Sequence, residues 1–329
     1  MKTRRRAGIV STGRALPVCR LTNFDLEYMV ETSDEWITAR TGIRERRVIT
    51  GAETNASLSE TAARIALERA CLKPEEIDML IVATVTADQL LPSSACLIQA
   101  RLNAYKAAAF DLAAGCTGFL YGLTIGQQFI ETGAAKNILI IGVDTLSPIV
   151  DWTDRNTCIL FGDGAGAVVL QQVEEDRGIL ASKMFSDGTK AEMLDIPAGG
   201  TRRPITRKTL EERARYVRMN GPEIFKFAVK IMVESTVNVL EMCGKKPADL
   251  DYIAPHQANI RIINLACKKL GLKDEQVLTN IHRYGNMSSA SIPVVLDEAV
   301  EAGKIKQGNL LALVSFGAGL TWGATALRW

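Results

Sequence analysis

The sequence is poor in the residues that build metal sites, disulfide frameworks and membrane spans. It has only two histidines, and its seven cysteines are scattered, odd in number and without a CxxC pair. This pattern excludes a zinc site of the usual spacing and a disulfide framework, and it favours a reducing compartment. No apolar run reaches transmembrane length. With a formal net charge of only +2, no global field requires a nucleic-acid partner.

The N-terminal residues give no sign of export. Residues 1–6 are basic, but only four apolar residues follow before Ser11, which is too short for the hydrophobic segment of a signal peptide. We therefore expect a cytoplasmic protein that is not attached to a membrane. The 329 residues, 47% hydrophobic and 23% charged, suit a soluble globular chain with two domains or one large one.

One stretch of the first half combines a strand, a cysteine and a helix. An apolar run over 107–112 predicts a buried strand, small residues follow, and a second apolar run from 117 to about 131 predicts a helix that ends before Gly133. Cys116 would lie at the N-terminal end of that helix, where the dipole is expected to lower the pKa of the thiol. The alternative is that Cys116 is a small structural core residue.

The remaining pattern predicts alternating strands and helices. Strands are expected over 7–12, 79–84 and 137–143. One helix is expected to begin with Asn23 as its N-cap, a second to begin at a capping box over 57–60, and a third to run from 92–94 to about 102. The glycine-rich run 161–166 precedes a strand instead of joining a strand to a helix. It therefore favours close backbone approach beside a site over a phosphate-binding loop.

The second half of the chain repeats the first. Residues 73–81 match 246–254 at an offset of 173 residues, and residues 133–137 match 303–309 at an offset of 170. This predicts a duplicated α/β unit, with one half over 1–177, a second over 178–329, and a site in the crevice between them.

Three side chains with complementary chemistry fall at matching places of the two halves. His256 follows a predicted strand over 252–254, and Asn286 precedes small residues and a helix. Together with Cys116 they would form a thiol nucleophile with two hydrogen-bond donors. Taken singly, each could be structural, His256 as a satisfied core histidine and Asn286 as a turn residue.

The motifs around these residues resemble a known family. Cys116 within 113–119, His256 within 255–259, Asn286 within 284–291 and the runs 34–44, 161–166 and 316–323 are similar to β-ketoacyl-[acyl-carrier-protein] synthase III. These are the initiating condensing enzymes of type II fatty-acid synthesis. The resemblance covers essentially the whole chain, and it implies a thiolase-like fold of two α/β halves layered α-β-α-β-α.

The resemblance also implies a reaction. Cys116 would take the acyl group of an acyl-CoA, most simply acetyl-CoA. His256 and Asn286 would then donate hydrogen bonds to malonyl-acyl-carrier protein as it loses carbon dioxide. The backbone N–H groups of Cys116 and Ala318 would form the oxyanion hole, although the family commonly has glycine at 318. No metal or other cofactor is implied.

Further positions carry over from the family by resemblance. The expected CoA and pantetheine residues are Trp36, Arg40, Arg155, Gly221, Phe225 and Asn259, although Pro222 stands where many members have asparagine. The expected acyl pocket has Phe316 and Leu91, with Leu91 reaching in from the partner subunit of a homodimer. The expected docking surface for the acidic carrier protein has Lys226, Arg261, Lys268 and Lys269.

Several alternatives remain open at this point. A related Cys-His-Asn acyltransferase of polyketide or secondary metabolism differs only in its acyl pocket. An elongating condensing enzyme would need a second histidine at the position of Asn286, and His282 lies four residues earlier. The duplicated halves oppose a papain-like hydrolase, and Cys116 opposes a non-catalytic carrier-protein binder. The basic stretch 201–218 is either a docking patch or a solvated surface, and the sequence does not fix the acyl primer.

Overall fold

The computed structural model describes residues 5–329, so part of the basic N-terminal run, residues 1–4, lies outside the described residues. The strands in this range are β1 (Arg6–Ala15), β2 (Arg20–Thr22), β3 (Glu45–Arg47), β4 (Met79–Ala83), β5 (Ala108–Leu112), β6 (Ile138–Asp144), β7 (Gly164–Val173), β8 (Gly178–Ser186), β9 (Leu194–Asp195), β10 (Arg218–Met219), β11 (Tyr252–Pro255), β12 (Leu310–Gly317) and β13 (Thr321–Arg328). The helices are α1 (Asn23–Glu27), α2 (Asp34–Thr41), α3 (Asn55–Arg69), α4 (Ser94–Leu102), α5 (Gly118–Thr132), α6 (Arg155–Cys158), α7 (Arg207–Glu211), α8 (Gly221–Met242), α9 (Ile260–Leu270), α10 (Ile281–Tyr284) and α11 (Ser291–Glu301).

The two main sheets follow the same plan. The first has the strand order β1-β7-β6-β4-β5, in which β1, β7 and β6 are antiparallel neighbours and β6, β4 and β5 run parallel. The second has the order β8-β13-β12-β11, again antiparallel and then parallel, and Val277 adds a parallel bridge to Ile253 at the place that corresponds to β5. The first main sheet contains only strands before residue 178, and the second contains only strands from 178 onward. Strands β2 and β3, and strands β9 and β10, form two separate two-stranded sheets.

Helices and sheets alternate in five layers. Helices α3 and α4 cover the outer face of the first sheet, and α8 and α9 cover the outer face of the second. Helices α5 and α11 lie between the two sheets and share one apolar core with both. Strand β4 illustrates this arrangement, because Met79 and Ile81 face the central core while Leu80 and Val82 face the outer helices. Since both of its faces are buried, the whole strand is apolar. The predicted α-β-α-β-α layering is confirmed.

Two helix starts differ from the predictions. The helix expected to begin at a capping box over 57–60 begins at Asn55, because Thr54 is the N-cap: its hydroxyl accepts from Ser57 N–H, and Ser57 Oγ accepts from Thr54 N–H. Likewise Thr22, and not Asn23, caps α1. In both cases a threonine just outside the apolar pattern supplies the cap.

The basic stretch 201–218 forms short-range ion pairs. Arg203 pairs with Glu212, Arg207 with Glu211, and Arg213 with Asp151 of the first half. The stretch is also anchored by the backbone bond from Val217 N–H to Ile149 O. Much of its positive charge is therefore compensated locally by neighbouring carboxylates.

Candidate active site

A cavity of about 510 Å³ opens between the two halves of the chain. Cys116, His256 and Asn286, the three predicted chemical groups, all line it. Its apolar wall includes Leu160, Phe161, Met219, Ile224, Phe225 and Phe316, and its polar rim includes Arg40, Asn156, Lys226, Asn259 and Arg261. A cavity with an apolar wall, a basic rim and one thiol suits an acyl group carried by an anionic molecule.

Cys116 lies at the junction between β5 and α5, as predicted. It is the middle residue of a 3-10 turn, Gly115–Thr117, that leads into α5. The second half holds this turn in place: Ser315 Oγ donates to the carbonyl of Cys116 at 2.8 Å, and Thr321 Oγ1 donates to the carbonyl of Ala114 at 2.8 Å. A Cβ on Gly317 would come within 2.6 Å of Cys116 N, so only glycine lets β12 pass this close to the nucleophile.

The environment of the thiol corrects the expectation that its pKa falls. Burial raises the pKa of Cys116 to about 12, and the nearby charge of Asp144 also raises it. The Ser288 hydroxyl and the N–H groups of Cys116 and Ala318 lower this pKa but do not compensate for burial. A helix terminus stabilises an anion by roughly 0.3–1 kcal/mol, whereas desolvation of a fully buried group shifts its pKa by several units. Cys116 is therefore a neutral thiol at rest.

His256 follows the last residue of β11, and its backbone N–H donates to Val314 O at 2.8 Å. Its ring is 1% exposed and packs edge-on against Phe316, with centroids 5.5 Å apart. Its Nδ1 has no hydrogen-bond partner among the described residues. Burial lowers the pKa of His256 to about 3, so the imidazole is neutral at pH 7 and carries one N–H to donate.

Asn286 is held at both its backbone and its side chain. Its N–H donates to Leu160 O at 2.8 Å, and its carbonyl accepts from Gly162 N–H at 3.0 Å. The side-chain Oδ1 accepts from Ser288 N–H at 2.8 Å. Because the acceptor end of the amide is occupied, the Nδ2 group is the end available to the cavity, and it is a hydrogen-bond donor.

The predicted oxyanion-hole groups lie beside the thiol. The backbone N–H groups of Cys116 and Ala318 both interact with the Cys116 sulfur. Ala318 has no positive φ, so the backbone there suits alanine without strain. Two N–H groups that converge on the nucleophile can also stabilise an oxygen anion formed next to it.

Three of the predicted CoA residues form a separate stack at the cavity rim. The guanidinium carbons of Arg40 and Arg155 lie 4.3 Å and 4.7 Å from the ring centroid of Trp36. Arg155 is also anchored by a 2.8 Å bond to Glu31 O. Arg40 lines the cavity itself, whereas Trp36 and Arg155 do not. At these distances the guanidinium of Arg155 is in direct contact with the indole. A planar base, such as the adenine of CoA, can therefore enter between the two side chains only if Arg155 moves.

The other predicted CoA residues lie where helices α8 and α9 begin. Gly221 and Phe225 of α8 and Asn259, the N-cap of α9, all line the cavity. Asn259 uses both ends of its amide within the protein, donating to Arg40 O and accepting from Arg261 N–H. Pro222, the residue that departs from the expected motif, lies in the first turn of α8, where its missing N–H costs nothing.

The two predicted acyl-pocket residues are not brought together within this chain. Phe316 lines the cavity next to His256. Leu91 does not; it is 84% exposed in the loop before α4, beside Leu90, which is 91% exposed. Leu91 therefore does not contribute to the cavity that contains Cys116 in its own chain.

The predicted docking residues lie along one side of the cavity mouth. Lys226 of α8 and Arg261 of α9 line the cavity, and Arg261 lies over the ring of Phe225. Lys268 and Lys269 are exposed in the last turn of α9. Since α9 rises about 1.5 Å per residue, they lie roughly 10 Å along the helix from Arg261.

The sequence patterns did not point to several residues that shape the site. Ser288 faces the thiol from a backbone with φ of +48°, a rare conformation for serine. Gln257, fully buried, bridges the loops beside His256 by bonds to Pro255 O, Leu278 O and Asn280 N–H. Both follow a predicted residue by one or two positions, and this adjacency was the only signal in the sequence.

Two broader searches of residues 5–329 complete the description of the site. No three side chains of His, Cys, Asp or Glu are grouped so that they could hold a metal ion. In the same range, no helix combines the length and apolarity needed to cross a membrane.

The chain matches two descriptions of one protein family. Residues 110–188 match "3-Oxoacyl-[acyl-carrier-protein (ACP)] synthase III", and residues 240–329 match the C-terminal part of the same family. The first match contains Cys116, and the second contains His256 and Asn286.

Whole-chain relatives agree with these matches. The chain is 54% identical over 323 residues to a beta-ketoacyl-[acyl-carrier-protein] synthase III of Caldanaerobacter subterraneus, with 98% of each chain covered. A crystal structure of 3-oxoacyl-[acyl-carrier-protein] synthase III from Aquifex aeolicus is 48% identical, with a TM-score of 0.91 over 98% of this chain and 100% of the other. The priming beta-ketosynthase of the R1128 polyketide pathway is 32% identical, with a TM-score of 0.92 over 100% of this chain and 97% of the other.

Proposed function

Since the chain belongs to the 3-oxoacyl-[acyl-carrier-protein] synthase III family and is an acyltransferase that performs the initiating condensation of fatty-acid synthesis, we propose that Cys116, His256 and Asn286 carry this reaction. The substrates are an acyl-CoA primer, most simply acetyl-CoA, and malonyl-acyl-carrier protein. The products are 3-ketoacyl-acyl-carrier protein, CoA and carbon dioxide. The reaction uses no metal ion and no further cofactor.

In the first half-reaction the thiol of Cys116 attacks the acyl-CoA thioester. A new C–S bond forms to Cys116, the bond to the CoA sulfur breaks, and the thiol proton ends on the departing CoA. The N–H groups of Cys116 and Ala318 stabilise the oxygen anion of the tetrahedral state. Because the thiol is neutral at rest, formation of the C–S bond requires that Cys116 also lose its proton.

In the second half-reaction the malonyl thioester loses carbon dioxide. The electron pair of the broken C–C bond moves onto the thioester oxygen, and the resulting enolate accepts hydrogen bonds from the His256 imidazole and from Asn286 Nδ2. The enolate carbon attacks the acyl-Cys116 thioester, the C–S bond breaks, and the sulfur of Cys116 regains a proton. A neutral His256, which its burial favours, acts here as a hydrogen-bond donor without adding a full charge.

The observation that carries this proposal is that one cavity holds a thiol from the first half together with an imidazole and an amide from the second. Incubation with acetyl-CoA followed by peptide mass spectrometry should find one acetyl group on Cys116. The Cys116→Ala variant should lose this label. A Cys158→Ala variant is the matched control, because Cys158 is also buried but does not line the cavity. Folded protein that carries no acetyl group on Cys116 would contradict the proposal.

The polyketide alternative is less well supported. The priming beta-ketosynthase of a polyketide pathway has the same fold but only 32% identity, compared with 54% for a fatty-acid relative. A panel of acyl-CoA primers tested with malonyl-carrier protein separates the two by the primer that reacts fastest.

The apolar loop before α4 and the free edge of β5 support a homodimer. β5 is the last strand of its sheet, and Leu90 and Leu91 are exposed nearby in sequence. An unpaired edge strand with exposed leucines is a typical place for a second copy of the chain to pair. In such a dimer Leu91 would reach the acyl pocket of the partner subunit.

The carrier protein would dock on Lys226, Arg261, Lys268 and Lys269, whose positive charge complements an acidic partner.

The cysteines support a cytoplasmic location. All seven are free thiols, three of them buried. Free thiols persist in a reducing compartment.

A further inference from the structure

Asp144, at the end of β6, is a fully buried carboxylate that the reaction above does not use. Its Oδ1 accepts three hydrogen bonds, from Val85 N–H at 2.9 Å and from the hydroxyls of Thr84 and Thr86 at 3.1 and 2.9 Å. Its Oδ2 accepts from both the N–H and the hydroxyl of Ser289, at 3.1 and 2.9 Å. One carboxylate oxygen thus binds residues that follow β4, and the other binds the turn that follows Asn286.

Ser289 connects this carboxylate to the catalytic amide through two short steps. It is the middle residue of the turn Ser288–Ala290, which packs against the Gly115–Thr117 turn of the nucleophile. The preceding Ser288 has a φ of +48°, and in this conformation its N–H donates to Asn286 Oδ1 at 2.8 Å. A positive φ at serine is unfavourable and persists only where neighbouring contacts impose it.

The backbone of β6 is pressed against the same turn. A Cβ on Gly142 would lie only 2.3 Å from the carbonyl oxygen of Ser289, so glycine allows β6 to approach it. The turn is therefore fixed on two sides, by steric contact at Gly142 and by the hydrogen bonds of Asp144.

We propose that Asp144 is a positioning residue for the condensation: through Ser289 it holds the Ser288 turn that fixes the direction of the Asn286 amide. This inference rests on the proposed role of Asn286. Its basis is two hydrogen bonds from adjacent residues of one turn: Ser289 N–H donates to Asp144 Oδ2, and Ser288 N–H donates to Asn286 Oδ1.

The hydrogen bonds of Asp144 and its negative charge have opposite consequences for the two half-reactions. The charge of Asp144 raises the pKa of the Cys116 thiol, so it does not activate the nucleophile. Removing the charge should leave acylation of Cys116 intact or make it faster. Loosening the turn should slow the step that depends on Asn286. The two half-reactions therefore separate a positioning role from a general loss of structure.

The Asp144→Asn variant tests this separation. An asparagine offers one acceptor oxygen, which the three donors at Oδ1 will take, so its NH₂ group meets the N–H of Ser289 and cannot bind it. We expect release of carbon dioxide from malonyl-carrier protein to fall by about a hundredfold, as for a misplaced catalytic group, while acetylation of Cys116 falls by no more than about twofold. Thr86→Val is the matched control: it removes one bond at Oδ1 and the bond from Thr145 N–H to Thr86 Oγ1, but neither bond of Oδ2 to Ser289. It should leave both half-reactions within about twofold of the wild type.

A double-mutant comparison tests the connection to Asn286. If Asp144 acts through Asn286, the Asp144→Asn change should cost nothing further in an Asn286→Ala background. Equal losses in both half-reactions for Asp144→Asn, or full additivity with Asn286→Ala, would overturn the inference. If Asp144→Asn does not fold, Ser289→Ala removes the hydroxyl contacts with Asp144 Oδ2 and Ala83 O and keeps the Ser289 N–H bond. Decarboxylation that is unchanged in this variant overturns the inference equally. Failure of the proposed function itself would be visible in the wild type, which would then neither acetylate nor decarboxylate.

Discussion

Replacing Asn286 with alanine removes one hydrogen-bond donor from the cavity and leaves the backbone of the site in place. The bonds from Asn286 N–H to Leu160 O and from Gly162 N–H to Asn286 O do not involve the side chain and remain. The side chain itself has its Oδ1 occupied by Ser288 N–H, so the function lost is donation by Nδ2. Loss of one donor to a developing oxygen anion costs about 10²–10³-fold in rate, or about 3–4 kcal/mol.

The two half-reactions should respond very differently to Asn286→Ala. Acetylation of Cys116, followed by mass spectrometry in a single turnover, should stay close to the wild-type rate. In the proposed mechanism the oxygen anion of this step is bound by the N–H groups of Cys116 and Ala318, which lie beside the thiol, and not by Asn286. Release of carbon dioxide from malonyl-carrier protein should fall by about 10²–10³-fold.

A stability measurement serves as the control for this variant. Ser288 N–H loses its acceptor, which costs about 1–3 kcal/mol if the group stays unsatisfied, so thermal unfolding should shift to lower temperature by a few degrees without loss of cooperativity. A variant that loses both half-reactions equally, with unfolding that remains cooperative, would refute the reasoning that Asn286 acts on the enolate.

Three further predictions follow from the charges of the site. Alkylation of Cys116 by iodoacetamide should accelerate about tenfold per pH unit from pH 7 to 10, because the thiol pKa is about 12; a plateau below pH 8 would contradict this. His256, whose folded pKa of about 3 lies below its ordinary 6.5, stabilises the fold above pH 6.5 and loses that contribution as the pH falls. Urea titrations at pH 7 and 5 should therefore show the wild type losing up to about 1.4 kcal/mol per pH unit more than His256→Gln. Binding of the carrier protein should weaken as salt is raised, and this salt dependence should be smaller in a Lys268→Ala/Lys269→Ala variant; titration calorimetry at two salt concentrations checks both.

The local order around the nucleophile could be predicted because it rests on short-range pattern. Strand β5, the small residues and helix α5 follow one another within residues 108–132, so the order of strand, turn and helix follows from spacing alone. The expectation that this strand is buried is wrong: β5 is the edge of its sheet and is only partly buried. The positions of His256 after β11 and of Asn286 before α11 followed from the internal repeat in the same way.

The protonation state of the thiol could not be predicted from these patterns. Its pKa depends on burial, and the burial comes from residues about two hundred positions away, where Gly317 and Ala318 pack over Cys116. A helix terminus is visible in the sequence, but the desolvation that outweighs it is a property of the assembled halves.

The hydrogen-bond network of Asp144 could not be predicted from the sequence, for a related reason. A single aspartate at the end of an apolar strand carries no further signal in the sequence. Its donors come from the loop that follows β4 and from Ser289, 145 residues later. Leu91 is exposed outside the cavity of its own chain, and its expected place in the acyl pocket of a partner subunit stays a prediction.

The shared central layer has a consequence for how the molecule responds to damage. Since α5 and α11 bury one common core against both sheets, neither half can shed the other without exposing a large apolar face to water. The connection near Glu175 and Asp176, by contrast, is exposed and lies between the sheets in sequence. We therefore expect a single proteolytic nick there to leave two fragments that stay associated, keep Cys116 opposite His256 and melt as one cooperative unit. On this expectation, the peptide link between the halves matters for assembly of the enzyme and not for the integrity of its finished active site.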